Sequence, residues 1–192
     1  MLSNPFWQFS VTVYSKPRVA TLCLQLQNEF GLNVNHVLFA CFLARRGYLM
    51  DTSTADYLRT SLSNWQGRVI LPLRQLRLKQ KQLLPRITQG LTHTQSNTSG
   101  QSQAKQQGEQ LYQDLKMVEL QAERLEQAWL WSFAQRCEAG LETNRGELPG
   151  VVLLQGLPES TSSAATTLLG ELWNIVSTEM SEPSPTGGID SA

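Results

Sequence analysis

The sequence predicts an all-α protein, in which a cluster of short N-terminal helices packs on a long antiparallel helical hairpin. Apolar residues recur every three or four positions along most of the chain, which is the period of a helix face. Capping residues divide the first part of the chain into short segments. Farther along, two apolar series with heptad spacing lie on either side of a polar segment, which is typical of two helices that fold back on each other.

Three short helices are predicted before residue 48. Asn4, which is followed by a proline, provides an N-cap for the first helix, although the alternation in residues 9–13 also fits a strand. The second helix follows Pro17 and ends at Gly31, and Asn33 caps the third. The apolar stripe of the second helix consists of Val19, Leu22, Cys23, Leu26 and Phe30.

A fourth helix and two heptad series follow. Ser53 and Asp56 have the spacing of a capping box, and Gly67 is expected to end or bend this helix. The first series consists of Val69, Leu73, Leu76, Gln80, Leu83 and Ile87. The second series consists of Leu111, Leu115, Val118, Ala122, Leu125 and Trp129. Their matching spacing predicts that the two series pack against each other, or against a second copy of the chain.

The polar segment between the two series determines the predicted domain organisation. Residues 88–108 are almost entirely Gln, Ser, Thr, Gly and Asn, so a flexible loop is predicted there. Residues 1–87 and 109–180 are predicted to form one helical domain. Residues 181–192 are predicted to be a disordered tail.

Charge is segregated along the chain, although the formal net charge is zero. Residues 57–108 contain eight Lys or Arg and no acidic residue, whereas residues 109–182 contain twelve Asp or Glu and four Lys or Arg. We predict that the basic and acidic helices pair within the hairpin, since heptad flanks commonly carry complementary charges. The alternative is a basic surface on helix 68–86 that binds nucleic acid or another polyanion. Its candidate residues are Arg68, Arg74, Arg77, Lys79 and Lys81.

An aromatic cluster ends the second series. Trp129 and Phe133 lie one helical turn apart, whereas Trp131 lies about 200 degrees around the helix from Trp129. Trp131 is therefore a candidate for contact with a partner or a membrane surface, unless the C-terminal helix covers it.

No motif in the sequence specifies a reaction. The chain has two histidines, and it lacks a nucleophile elbow, a paired-histidine metal motif and a glycine-rich dinucleotide loop. We therefore assign no catalytic residue, no metal ligand and no cofactor, and we interpret His36 as a structural residue. The three widely spaced cysteines, Cys23, Cys41 and Cys137, are interpreted as small core residues.

The sequence contains no candidate membrane span or signal peptide. The longest apolar run, residues 37–44, is far shorter than the roughly 18 residues that a spanning helix needs. The predicted location is the cytoplasm.

The sequence resembles an uncharacterised family of short, helical proteobacterial proteins. The resemblance covers residues 5–87 and 111–127. It rests on Phe6-Trp7-x-Phe9, Tyr14, Pro17, Val19, Cys23-Leu24-x-Leu26-Gln27, Gly31, Val34-Asn35, Trp65, Pro72-Leu73-Arg74, Arg77, Glu119-Leu120 and Glu123-Arg124. It implies a bacterial, cytoplasmic setting. Because the family has no assigned activity, the resemblance implies no cofactor and no site residue.

We predict a non-enzymatic protein that acts through interaction or regulation, with helix faces as its contact surface. A protein partner is expected, and a homodimer through the heptad series is one form of it. Binding of nucleic acid or another polyanion through helix 68–86 is the alternative, and an enzyme of unrecognised type is a second alternative. The salt dependence of binding distinguishes the protein-interaction hypothesis from the polyanion hypothesis, because phosphate contacts weaken steeply as the salt concentration rises and apolar docking does not.

Overall fold

The fold is built almost entirely from helices, in a computed structural model that describes residues 4–90, 98–137, 142–143 and 147–178. The α-helices among these residues are α1 (Pro5–Tyr14), α2 (Val19–Phe30), α3 (Val34–Arg45), α4 (Thr52–Trp65), α5 (Leu71–Gly90), α6 (Thr98–Cys137) and α7 (Glu159–Thr178). Two-residue strands β1 (Tyr48–Leu49) and β2 (Glu142–Thr143) pair antiparallel. The predicted all-α class is confirmed, whereas the predicted tail 181–192 lies outside the described residues.

The described residues form two compact units. One, which we call the α5–α6 unit, consists of the described residues between positions 56 and 132. The other, the terminal unit, combines residues 4–55 with the described residues from 133 onwards. Helices α4 and α6 each cross a unit boundary and contribute to both units. The sequence predicts that the N-terminal helices pack on the hairpin in a single domain. This concerns the arrangement of the two units, and it stays a prediction.

The first helices begin and end where their capping residues predict. The Asn4 side chain accepts a hydrogen bond from the Trp7 amide (2.8 Å), so the first segment is helix α1 and not a strand. The Asn33 side chain likewise accepts from the Asn35 amide (2.8 Å) at the start of α3. Gly31 ends α2 with a φ of 69°, a left-handed conformation that glycine adopts without strain.

Aromatic rings of α1 and α3 form part of the core of the terminal unit. The ring centroid of Phe6 lies 5.2 Å from that of Phe39 and 5.4 Å from that of Phe42. Helix α7 packs on α2 and α3. Its buried residues are Ala165, Leu169, Leu172 and Val176. The interior of this unit is therefore shared between the two ends of the chain.

Two thiols and one imidazole are buried in the terminal unit. Burial raises the pKa of both Cys23 and Cys41 to about 12, so these thiols stay protonated and unreactive at neutral pH. Burial lowers the pKa of His36 to about 4, so its imidazole is neutral there. The predicted core position of Cys23 and Cys41 is confirmed, and His36 is buried as well. The side chain of Cys137 lies outside the described residues.

The start of α4 differs from the predicted capping box. The Asp51 carboxylate accepts hydrogen bonds from the Thr54 amide (2.7 Å) and from the Ser53 hydroxyl (3.0 Å). Asp56, the predicted partner of Ser53, instead forms an ion pair with Arg59. The prediction was wrong because an aspartate just before the helix provides a cap at an earlier position.

The chain continues as a helix through Gly67, which was expected to end or bend α4. A π-helix, Gln66–Ile70, joins α4 directly to α5. Because a π-turn holds more residues than an α-turn, it rotates the faces of α5 relative to those of α4. Ile70, at its end, is almost completely buried.

Both described ends of the predicted loop 88–108 are helical. Helix α5 extends to Gly90, and α6 already begins at Thr98. Residues 91–97 lie outside the described residues. Glutamine and lysine are good helix formers, so this polar composition is compatible with helix extension as well as with a loop.

Candidate functional site

Side chains from α4 and α5 reach α6 in the α5–α6 unit. Trp65 Nε1 donates a hydrogen bond to the Ala122 carbonyl (3.1 Å), and Gln80 Nε2 donates to the Gly108 carbonyl (2.7 Å). The later of these two donors, Gln80, bonds to the earlier position in α6, and Trp65 bonds to the later one. This is the order expected for helices that run in opposite directions.

Four charged side chains form an ion-pair network between α5 and α6. Arg74 Nε donates to Glu119 Oε1 (2.8 Å), and Arg74 Nη2 donates to Glu123 Oε1 (2.7 Å). Arg77 Nε donates to Glu119 Oε2, and Arg77 Nη1 donates to the Tyr112 hydroxyl (3.3 Å). Glu119 thus accepts from two guanidinium groups, while only 7% of its side chain is exposed. Between these residues, basic and acidic side chains do pair within the chain.

The network changes the acidity of its members. The hydrogen bond with Glu119 raises the pKa of Arg77 above its ordinary value. Burial alone would raise the pKa of Glu119, but the hydrogen bonds and charges of Arg77 and Arg74 outweigh it, so this pKa lies below its ordinary value. Burial also raises the pKa of Glu123, and here the charge of Arg74 does not fully offset it. Glu119 is therefore the carboxylate that the network holds in its charged form.

The apolar heptad series are much more exposed than a packed seam would be. The relative exposures are 52% for Leu76, 49% for Leu83, 50% for Leu111 and 46% for Val118. Of the α5 residues that hydrogen-bond to α6, Gln80 belongs to the predicted series, whereas Arg74 and Arg77 occupy neighbouring positions. The prediction that the apolar series pack directly on each other is therefore wrong for these four residues.

The residues on the inner face of α5 and α6 follow a heptad pattern of their own. Before α6 these inner residues are Ile70, at the end of the π-helix, and Leu73, Arg77, Gln80 and Leu84 in α5. In α6 they are Gly108, Tyr112, Leu115, Glu119, Ala122 and Glu126. These are the a and d positions of a heptad, so Arg74 and Glu123 both occupy e positions. Their mutual hydrogen bond agrees with antiparallel pairing, in which e positions lie beside each other.

The four exposed residues of the predicted apolar series occupy g positions of this pattern. We call this set the apolar stripe. It consists of Leu76 and Leu83 in α5 and of Leu111 and Val118 in α6. In an antiparallel pair the g positions of both helices lie on one side, and the charged e positions lie on the other. The signal for this arrangement was present in the sequence, because the polar a and d residues also recur at spacings of three and four.

Three of the five basic residues considered for anion binding lie close together, because Arg77 and Lys81 both lie over the Tyr112 ring (5.8 and 6.0 Å from its centroid) and Arg74 neighbours Arg77 at Glu119. Arg74 and Arg77 share the carboxylate of Glu119. Arg68, Lys79 and Lys81 are exposed. Their role in binding stays a prediction.

The aromatic candidate at the end of the α5–α6 unit is partly exposed. Trp131 has intermediate burial, whereas its neighbour Trp129 packs edge-to-face on Trp65 with ring centroids 5.1 Å apart. A partner contact through Trp131 stays a prediction.

A family model described as "Protein of unknown function (DUF2390)" matches residues 5–130, well over half of the chain. The chain belongs to this family. Resemblance to an uncharacterised family is thereby confirmed. The curated proteins and the solved structures that were compared with the chain contain no match to it.

The DUF2390 region begins at the first residue of α1 and ends at Leu130. It therefore contains the whole ion-pair network and the whole apolar stripe, whereas Trp131 lies one residue beyond it. None of the described helices is long and apolar enough to cross a membrane. Within the same described part of the chain, no group of three or more His, Cys, Asp or Glu residues is placed to hold a metal ion.

Proposed function

We propose that this DUF2390 protein is a non-enzymatic interaction protein of the bacterial cytoplasm that binds a helical partner on its apolar stripe. The observation that carries the proposal is the exposure of Leu76, Leu83, Leu111 and Val118, each about half exposed. Single exposed leucines are ordinary, but two adjacent rows in heptad register form a continuous apolar surface. Amphipathic helices bind surfaces of this kind with residues at positions i, i+3, i+4 and i+7.

The ion-pair network supports this role by holding α5 and α6 in register. Arg74 bonds to Glu119 and Glu123 on one side of the pair, so the g positions on the other side keep a defined spacing. A surface that is already ordered loses less conformational entropy when a partner binds. The network is thus a support for the stripe and not itself the contact surface.

Anion binding receives less support from these contacts. Arg74 and Arg77, two of its five candidate residues, are engaged with Glu119. Lys79 and Lys81 lie about 160 degrees apart around α5, so they do not form one row. A phosphate backbone requires several cations on one face.

The proposal is tested by site-specific photo-crosslinking in cells that express the protein. A benzophenone amino acid is placed at Leu83 or Leu111 in the stripe. Matched controls carry it at Leu78 or Met117, which are similarly exposed (44% and 49%) but do not belong to the stripe. The adducts are separated by electrophoresis and identified by mass spectrometry.

We expect a discrete protein adduct from both stripe positions and none from the two controls. The identity of the crosslinked protein is read in the same experiment. Adducts of equal yield at all four positions, or no adduct at the stripe, would contradict the proposed function.

A further inference from the structure

We infer that the apolar stripe is occupied by a second copy of this chain, so that two α5–α6 pairs form a symmetric four-helix bundle. The inference rests on the proposed function, because it names the partner of the same surface. It follows from the register of the stripe and from the charges beside it.

The ion-pair network determines which stripe residues lie at the same height. Arg77 bonds to both Glu119 and Tyr112, so it lies beside the stretch of α6 between them. Because the two helices run in opposite directions, a step back from Arg77 in α5 corresponds to a step forward in α6. Leu76 therefore lies at the height of Val118. One heptad farther, Leu83 pairs with Leu111.

The stripe therefore consists of layers with one apolar side chain from each helix. A two-fold axis parallel to the helices would bring each layer against the identical layer of a second copy. All four helices would then contribute one side chain to every layer, which is the construction of a four-helix bundle. Such an interface is self-complementary, as a two-fold dimer requires. An apolar g position beside a and d widens a helix face beyond what one neighbouring helix covers.

The charges beside the stripe favour this arrangement over the other two-fold packing. Lys79 and Arg86 occupy the c positions of α5, next to the stripe, and Asp114 occupies a c position of α6. With the axis parallel to the helices, α5 faces α6 of the second copy, and Lys79 lies at the height of Asp114 of the second copy. Packing α5 on α5 would instead bring the basic residues of both copies together, which is unfavourable.

The first test measures the dimer dissociation constant of the purified full chain by sedimentation. We expect the wild type to dimerise, and Leu76→Glu with Val118→Glu to raise the dissociation constant at least about 100-fold, because it buries unpaired carboxylates in an apolar interface. The matched control is Leu78→Glu with Met117→Glu, which adds the same charge outside the stripe. It should change the constant by less than about threefold. Circular dichroism establishes that both variants are folded.

Two results would overturn the inference. One is a wild type that stays monomeric up to about 100 μM, which is weaker than specific dimers usually are. The other is an equal loss of dimer in the stripe variant and in the control variant. If the chain is monomeric while the crosslinks at Leu83 and Leu111 identify another protein, the second copy is excluded and the proposed function stands.

A charge exchange tests the orientation of the two copies. Lys79→Glu should weaken the dimer roughly fivefold, and adding Asp114→Lys should restore it, because the pair is then re-formed with its signs exchanged. A Lys79→Glu variant that dimerises more tightly than the wild type would show α5 packed on α5. That result would overturn the proposed bundle.

Discussion

Glu119 joins two arginines of α5 to α6 through one buried carboxylate. Glu119→Gln should lower the free energy of unfolding by about 3 kcal/mol, because it leaves two guanidinium groups without their shared charge. Glu123→Gln is the matched control, since Glu123 bonds only Arg74 in this network and is more exposed. Its expected cost is about 1 kcal/mol. Urea unfolding of the three proteins measures these differences, and equal losses would contradict the central position of Glu119.

His36 makes stability dependent on pH. The folded chain keeps this imidazole neutral down to its pKa of about 4, whereas the unfolded chain binds the proton near pH 6.5. Between these values the unfolded state binds more protons, so stability falls as pH falls, by up to about 1.4 kcal/mol per pH unit. In His36→Gln this contribution is absent. Between about pH 7 and pH 5 the wild type should lose more unfolding free energy than His36→Gln does, and parallel curves would refute the assignment.

Helices α5 and α6 approach closely where Gly108 faces Leu84. A Cβ on Gly108 would lie 2.3 Å from Leu84 Cδ1, whereas the same addition at Gly170 in α7 meets no atom within 4 Å. Gly170→Ala should therefore stabilise the protein by about 0.5–1 kcal/mol through helix propensity. In Gly108→Ala the same gain in helix propensity is outweighed, because the Leu84 side chain must move. This variant should be less stable than the wild type by roughly 1–3 kcal/mol.

Thermal unfolding compares the two glycine variants. In a protein that already carries Leu84→Ala, Gly108→Ala should no longer lower the stability, because the side chain that it would displace is absent. A Gly108→Ala protein as stable as the Gly170→Ala protein would show that the helices do not approach each other at this point.

The starts of α1 and α3 were predictable from the sequence, whereas the face that α5 presents to α6 was not. Asn4 and Asn33 cap the segments that contain them, so local chemistry determines where these helices begin. In α5, by contrast, the series containing Leu76 and the series containing Arg77 both have heptad spacing. Apolar residues were assigned to the seam, but Glu119 lies opposite and matches arginine better than leucine. Selecting the correct series requires knowledge of the opposing helix.

The candidate site was likewise predictable only in part. The pairing of basic and acidic helices followed from their charges, and it is found at Arg74 and Arg77. The exposed stripe was not predicted as a surface separate from the hairpin seam, because one set of residues was assigned to packing either within the hairpin or against a second copy. Exposure depends on which face the partner covers, and that information is not local in the sequence.

At the scale of the whole molecule, the basic residues of α5 that the structure describes are divided between the ion-pair network and separate exposed positions. Exposed Lys79 and Lys81 lie on different sides of α5, and the two arginines between the helices are neutralised by carboxylates. The chain as a whole carries no formal net charge. Long-range attraction to a polyanion should therefore be weak and easily screened by salt.

We expect the full chain to elute from immobilised double-stranded DNA below about 0.2 M NaCl, because few phosphate contacts can form at once. Arg68→Glu with Lys81→Glu should elute at nearly the same salt concentration. These residues suit the test better than Arg74 and Arg77, since breaking the ion-pair network would disturb the fold as well as any binding. Retention of the wild type above about 0.3 M NaCl that the variant loses would contradict this expectation. It would identify the exposed cations as a binding surface, and anion binding would then be better supported than partner binding on the apolar stripe.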